Sequence, residues 1–202
     1  MTRKNKRTID IAKGQTYMFP YIDMMTTLCI FFLMMYAYYI MAQSKSVVEQ
    51  VAIIATKVKA ELNMDVKLKS SVKVEVINDV VKITLPTSII FNSGSAKLID
   101  WTIPVLKDLA SVFKELPENY KVIIEGNTDN SPVWYGGDYG SNMELSLFRS
   151  LSIMQLFTAE GNDPNRFVIN GYDEYNPIFP NDSPEHHMMN RRMEILIKKG
   201  NS

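Results

Sequence analysis

A single carboxylate, Asp23, lies inside the most apolar stretch of the chain. The stretch runs from Tyr17 to Ala42, and no charged residue occurs from Met24 to Ser44. A helix from Pro20 to Ala42 would extend roughly 34 Å, which is long enough to cross the hydrocarbon core of a bilayer. An ionisable group in a membrane span is costly, so Asp23 is a candidate functional residue. The alternative is an interfacial Asp that stabilises the N-terminal end of the helix dipole.

Two threonines lie one helical turn beyond Asp23. Thr26 and Thr27 could supply hydroxyl ligands to an ion held at Asp23, although threonines in membrane spans also pack helices together. Pro20 suits the first position of a helix, where the N–H that proline lacks would have no partner within the helix. The sequence therefore predicts a transmembrane helix over residues 17–42 that begins near Pro20.

Composition narrows the class of protein. The 202 residues are 46% hydrophobic and carry no net charge, so they can hold one membrane span and one domain, and nucleic acid is not an expected partner. The single cysteine, Cys29, excludes a disulfide within the chain. The adjacent His186 and His187 do not have metal-ligand spacing, and no Ser/His/Asp set is recognisable. We expect neither an enzyme nor a metal site.

Basic residues precede the span and predict its orientation. Residues 1–16 contain Arg3, Lys4, Lys6, Arg7 and Lys13 against one acid, Asp10. Positive residues keep their side of a span in the cytoplasm, so the part after the span should be exported. The apolar run is too long for a signal peptide and no cleavage site follows it. We expect a single-pass membrane protein with a cytoplasmic N-terminus and an exported C-terminal domain.

A charged, helix-like segment at residues 43–70 follows the span. Its apolar residues recur at helical spacing and form one stripe. The stripe consists of Val47, Val51, Ile54, Val58 and Leu62. Two interpretations remain open: a dimerising or plug-like helix on the membrane face, and a connecting helix packed on its own domain. Because no Pro/Gly-rich linker is present, the domain should lie close to the membrane.

Residues 71–202 read as one α/β domain. Alternating apolar residues at 72–76 and 81–85 predict a strand pair, and further strands are predicted at 121–125, 167–170 and 193–197. Helices are predicted from Trp101 to Leu116 and from Ser141 to Glu160, the second opened by a capping box of Ser141 and Glu144. This order predicts an α+β sandwich with helices on one face of a mixed sheet.

Five motifs carry a resemblance to a known family. They are IIFNSGSAKL, EGNTDNSPV, YGSNMELSLFRS, GYDEYNPIFPNDSPE and NRRMEILI. Over about residues 70–198 they resemble the peptidoglycan-binding domain, of βαβαβ type, shared by OmpA and MotB. With the basic N-terminus and YIDMMT, the chain is similar to MotB and PomB, the B-subunits of flagellar stators, and to ZorB of the Zorya anti-phage system.

The resemblance implies a site for diaminopimelate of the peptidoglycan stem. Asp129 would bind its ammonium and Arg149 its carboxylate, since a guanidinium suits bidentate carboxylate binding. The same pocket would be lined by Thr128, Asn142, Leu145 and Arg192. The alternative for each residue is a structural cap or a surface ion pair. Three positions depart from the family pattern: Asn127 replaces His, Asp173 replaces Gly and His187 replaces Arg.

The resemblance also implies a location, the bacterial inner membrane with the C-terminal domain in the periplasm, and a mechanism. Two copies of the chain would stand in a ring of MotA/ZorA-like multi-span channel subunits, with Asp23 loaded by a proton or a sodium ion. We favour the proton, and no other cofactor is implied. A low dielectric disfavours a charged carboxylate, so neutralisation changes the local free energy by several kcal/mol. The absence of a long linker argues against a conventional flagellar stator. Two alternatives are a passive tether and a TolR/ExbD-type energy transducer, although the latter lacks these motifs.

Overall fold

The computed structural model describes residues 3–62, 72–133 and 138–200. The chain divides into two compact units, Met1–Val48 and Glu49–Ser202, and each is described by itself. Side chains are described for residues 20–41, 52–60, 72–133 and 138–200.

Helix α1 comprises Arg3–Leu62, and within it Pro20–Met41 is long and apolar enough to cross a membrane. The side chains of this segment are exposed in the isolated chain. The prediction that the helix begins near Pro20 is wrong, because Pro20 lies inside α1. A proline removes only one backbone hydrogen bond, and transmembrane helices tolerate such a loss.

The second unit is built on a five-stranded mixed sheet. Its strands are β1 (Lys73–Ile77), β2 (Val80–Pro86), β3 (Tyr120–Asn127), β4 (Phe167–Asp173) and β5 (Arg192–Lys199). The order across the sheet is β1-β2-β5-β3-β4, with β3 and β4 parallel and the other neighbours antiparallel. The predicted α/β class with a mixed sheet is thereby confirmed.

Four shorter helices accompany the sheet. They are α2 (Thr87–Ile90), α3 (Ile103–Lys114), α4 (Asn142–Ala159) and α5 (Pro184–Asn190). The long helices α3 and α4 correspond to the two predicted ones, and a 3₁₀ turn, Asp100–Thr102, occupies the predicted first residues of α3. The short helices α2 and α5 fall in segments for which neither a helix nor a strand is predicted from the sequence.

The core lies between the sheet and the pair α3 and α4. Alternate residues of β2 are fully buried, as are Ile195 and Ile197 of β5. The rings of Phe113 on α3 and Phe157 on α4 meet edge to face, with centroids 5.1 Å apart. The apolar residues that alternate along the strands thus pack against the apolar faces of the two helices.

The C-terminal part of α1 packs on this core within the second unit. Ile54, Ala55 and Val58 are buried, and Lys57 Nζ lies 2.6 Å from Glu115 Oε2. This packing agrees with the interpretation of residues 43–70 as a connecting helix that packs on its own domain. The side chains of Val47, Val51 and Leu62, and all of residues 63–70, lie outside the described part of the chain. A plug role for this segment stays a prediction.

Candidate ligand-binding cleft

A cleft of about 610 Å³ opens where β3 ends and α4 begins. Five of the six residues predicted for peptidoglycan binding line it: Thr128, Asp129, Asn142, Leu145 and Arg149. The segment after β2 supplies the facing wall, including Thr87, Phe91 and Gly94. The sixth predicted residue, Arg192, does not line the cleft.

Two glycines bring α4 unusually close to the sheet. A Cβ on Gly126 of β3 would lie 2.3 Å from the backbone oxygen of Ser146, and one on Gly171 of β4 would lie 2.6 Å from Ser146 Oγ. Gly126 and Gly171 are register partners, so both clear the space beneath one turn of α4. Ser150, one turn further on, donates its hydroxyl to the carbonyl of Asn170 at 2.9 Å. The close approach places Arg149 beside the end of β3.

The N-terminus of α4 is tied to the loop after β3. Ser141 Oγ accepts from the backbone N–H of Glu144 at 3.1 Å, and Glu144 Oε2 accepts from the N–H of Gly140 at 2.7 Å. The predicted cap is therefore present, with the Glu reaching one residue further back than in the usual capping box. Asn142 Nδ2 donates to the carbonyl of Ser131 at 2.7 Å. Asn142 thus helps hold the Asp129–Ser131 segment against α4.

Asp129 is a buried carboxylate with polar neighbours. It is 3% exposed, and its Oδ2 accepts from Ser131 Oγ at 3.0 Å and from Arg191 Nη1 at 2.6 Å. His187 Nδ1 lies 3.6 Å from the same oxygen. All of these contacts are made to Oδ2, so Oδ1 can accept from a ligand donor.

Arg149 is a buried cation with few partners. It is 6% exposed, donates from Nε to the carbonyl of Ser95 at 2.9 Å, and lies 5.4 Å from the centroid of the Phe91 ring. Burial lowers the pKa of Arg149 to about 10; Tyr139 and Asp129 oppose this shift, and Arg191 adds to it. Among the described residues no carboxylate forms an ion pair with it. Its terminal amino groups are suited to an incoming anion.

The prediction that Arg192 lines the pocket is wrong, and Arg191 lies there instead. Arg192 is 2% exposed, donates from Nε to Glu194 Oε1 at 2.8 Å, and bonds the carbonyls of Asn176 and Asn190. Arg192 is the first residue of β5, whereas Arg191 belongs to the connection from α5. Sequence reasoning missed Arg191 because the NRR run does not show where the strand begins.

The three departures from the family pattern lie around the cleft. Asp173 has a φ of +57°, a left-handed conformation that favours glycine and that Asp also tolerates. Its Oδ1 accepts from Thr128 Oγ1 at 3.2 Å, and its carbonyl accepts from the N–H of Thr128. Asn127 is buried behind the cleft, where its Oδ1 accepts from Asn176 Nδ2 at 3.1 Å. His187 faces Asp129, as described above.

In α1, Asp23 and the two threonines fall within one turn. Thr26 Oγ1 and Thr27 Oγ1 each donate to the carbonyl of Asp23 at 2.9 Å. The hydroxyl oxygens keep their lone pairs, so an ion-ligand role remains chemically open. Among the side chains of residues 20–41, 52–60, 72–133 and 138–200, no group of three or more His, Cys, Asp or Glu is arranged to hold a metal ion.

The fold and cleft agree with comparisons to known families. The chain belongs to the OmpA family, whose model matches residues 90–191. Residues 2–52 match a second family model, described as membrane MotB of the proton-channel complex MotA/MotB. The two matches together define a MotB-like layout with an OmpA-like domain.

Individual relatives support the same layout. Motility protein B of Helicobacter pylori strain J99 is 27% identical over 98% of this chain and 90% of its own length. Motility protein B of Bacillus subtilis is 32% identical over 66% of this chain, which spans about half, 51%, of that relative. The solved cell wall anchor of the type VI secretion system (T6SS) of Pseudomonas aeruginosa has a TM-score of 0.62 and 30% identity, covering 69% of this chain and 95% of that one.

Proposed function

We propose that this chain is the peptidoglycan-anchored B-subunit of an ion-driven membrane motor. The cleft binds the stem peptide of the cell wall, and Asp23 carries the driving ion. The observation that supports anchoring most directly is the pair of buried opposite charges, Asp129 and Arg149, lining one cleft.

The chemistry of the cleft matches the free end of diaminopimelate. That end presents an ammonium and a carboxylate on one carbon. Asp129 Oδ1 accepts from the ammonium, while the terminal amino groups of Arg149 bind the carboxylate in bidentate geometry. Thr128, Asn142 and Leu145 position the two charges. Burial of Arg149 without a carboxylate is costly, and a bound anion offsets that cost.

Anchoring is tested by co-sedimentation of the full chain, in detergent, with purified peptidoglycan. Arg149→Ala should abolish co-sedimentation, and Arg149→Met should do the same while keeping most of the side-chain volume. Because the Met variant removes a poorly compensated buried charge, its melting temperature should equal or exceed that of the wild type.

Lys107→Ala is the matched control, since Lys107 forms an exposed ion pair with Glu160 away from the cleft. An exposed pair contributes little to stability, so this variant should bind and melt as the wild type does. Unchanged sedimentation of both Arg149 variants would refute the assignment of the site.

The motor part of the proposal rests on the N-terminal segment. The match to the MotB family model spans the Asp23 turn, and two of the relatives named above are motility proteins. In this proposal two copies assemble with MotA/ZorA-like channel subunits, and Asp23 cycles between a charged and a neutralised state. The ion is a proton or sodium, and the load is flagellar rotation or a Zorya-type defence response.

A passive wall tether is the second candidate. The likeness to a cell wall anchor of the type VI secretion system favours it, because anchoring alone needs the cleft and not the membrane carboxylate. The two candidates differ at Asp23, which a tether does not require.

A further inference from the structure

With Arg191 included, the cleft carries one net positive charge, which a ligand with one ammonium and one carboxylate cannot neutralise. Among the described residues that line the cleft, Asp129 is the only acid, and Arg191 Nη1 already binds its Oδ2 at 2.6 Å. An ammonium that reaches Oδ1 becomes the third cation at the site, beside Arg149 and Arg191. One ligand carboxylate and Asp129 together supply only two negative charges. A second ligand carboxylate restores the balance.

The Arg191 side chain is free to re-pair while its backbone is held. Its N–H donates to the carbonyl of His187 at 3.0 Å, and its own carbonyl accepts from the N–H of Thr87 at 3.0 Å. The next residue, Arg192, is fixed in the buried ion pair with Glu194. In contrast, the Arg191 side chain is 42% exposed. The guanidinium can therefore turn to a new partner without any change in the strand.

Space for that partner lies beside the cleft. Arg191 also lines an adjoining pocket of about 290 Å³, together with His187 and the Asn181–Pro184 turn. Asp182 is the acid in this pocket, and its carboxylate is paired with His186 at 2.5 Å. Arg191 and His187 thus face a cavity large enough for a carboxylate and part of a peptide.

We propose that Arg191 binds a second carboxylate of the peptidoglycan stem peptide, one that is separate from the zwitterionic end bound by Asp129 and Arg149. This inference rests on the proposed anchoring function. It identifies the ligand class as a stem peptide in which both carboxylates are free, and it predicts weaker binding of wall material in which the second carboxylate is amidated.

The test uses the synthetic tripeptide L-Ala–γ-D-Glu–meso-diaminopimelate and its three mono-amides. Binding is measured by calorimetry with the full chain in detergent. Amidation at the zwitterionic end should abolish binding to every variant. Amidation of one of the other two carboxylates should weaken wild-type binding about 10- to 100-fold, the usual range for a charge-assisted hydrogen bond.

The decisive variant is Arg191→Gln, with Lys198→Gln as the control that removes an exposed charge from β5 away from the cleft. Arg191→Gln should bind the free tripeptide as weakly as the wild type binds the mono-amide that weakens its binding. Amidation of the same carboxylate should not weaken binding by Arg191→Gln any further. Lys198→Gln should keep the full wild-type sensitivity.

Three results would overturn the inference. Tighter binding by Arg191→Gln would make Arg191 only a competitor for Asp129. If Arg191→Gln weakened the binding of every ligand equally, the role of Arg191 would be structural. If the wild type bound both of the other mono-amides as tightly as the free tripeptide, no second carboxylate would be bound. In each case binding that still depends on Arg149 leaves the anchoring proposal intact. Absence of any binding by the wild type refutes anchoring itself.

Discussion

Arg192 and Glu194 form a buried ion pair on the sheet face opposite the helices. They alternate along β5 with Met193 and Ile195, which are fully buried on the helix side. Lys82 of β2 completes the network, with Nζ 2.7 Å from Glu194 Oε1. Burial raises the pKa of Glu194, but hydrogen bonds from Lys82 and Arg192 outweigh it and hold the pKa below its ordinary value. Arg192 is thus held in a buried ion pair with Glu194, whereas its neighbour Arg191 lines the cleft.

Arg192→Met should destabilise the protein by about 3 kcal/mol, because it leaves Glu194 buried with only Lys82 as a counterion. A carboxylate with a lowered folded pKa stabilises the fold above its unfolded pKa, and that stabilisation is lost as the pH falls through the folded pKa. The deficit of Arg192→Met should therefore be larger at pH 7 than at pH 4. Thermal unfolding in detergent at both pH values measures it. Lys198→Gln, which removes an exposed charge from the same strand, serves as the comparison and should melt near the wild type. An equally stable Arg192→Met would contradict the structural role.

Individual residues differ in how far the sequence alone indicates their place in the structure. The motifs are enough to single out Asp129 and Arg149, and both line one cleft in the structure. Their role in binding peptidoglycan stays a prediction. Arg191 and Arg192 differ only in which side of the chain they face, and that depends on where β5 begins. The left-handed backbone at Asp173 has no signal in this sequence beyond the tolerance of Asp for it.

At the scale of elements, the cleft depends on the distance between α4 and the sheet. Gly126 and Gly171 lie beneath Ser146, and Ser150 continues the same line of small residues. The strands and α4 are predicted from periodicity, but the contact between them is not. The role of the glycines becomes visible only once β3 and β4 are paired in register.

Gly126→Ala should move α4 outward, since its Cβ would lie 2.3 Å from the Ser146 backbone oxygen and a backbone atom cannot yield as a flexible side chain does. We expect a loss of about 1–3 kcal/mol, typical of overpacking, together with weaker peptidoglycan binding because Arg149 moves with the helix. Thermal unfolding and co-sedimentation measure the two effects.

Gly140→Ala is the control for this variant, because a Cβ there would meet only the end of the Glu144 side chain, at 3.2 Å. It should keep both stability and binding close to wild type. A Gly126→Ala protein that binds and melts normally would show that the close approach of α4 is not required.

The whole chain combines an apolar segment long enough to span a membrane with an OmpA-like domain, and the two parts have different sequence signals. Pro20–Met41 is recognised by length and apolarity alone, and the OmpA-like domain by its motifs and strand pattern. The start of α1 at Arg3 is not recognised, because a proline is a helix-start signal that a long helix can override. In the proposed motor, Asp23 is the residue whose change of charge drives the movement, and this role is open to direct test.

Asp23→Asn separates a motor from a tether. Asn has nearly the shape of Asp but carries no charge and exchanges no proton, so the variant should insert, assemble and bind peptidoglycan as the wild type does. The output of the whole system, motility or protection from phage, should nevertheless be lost at equal protein level. Asp23→Glu should retain part of the output, since the carboxylate survives with a reach longer by one methylene. Thr56→Val is the control on the same helix: it removes a hydroxyl that donates to the Ala52 carbonyl and leaves the Asp23 turn intact, so the output should be unchanged. Full output from Asp23→Asn would leave the chain a wall tether, and the cleft would then be its whole function.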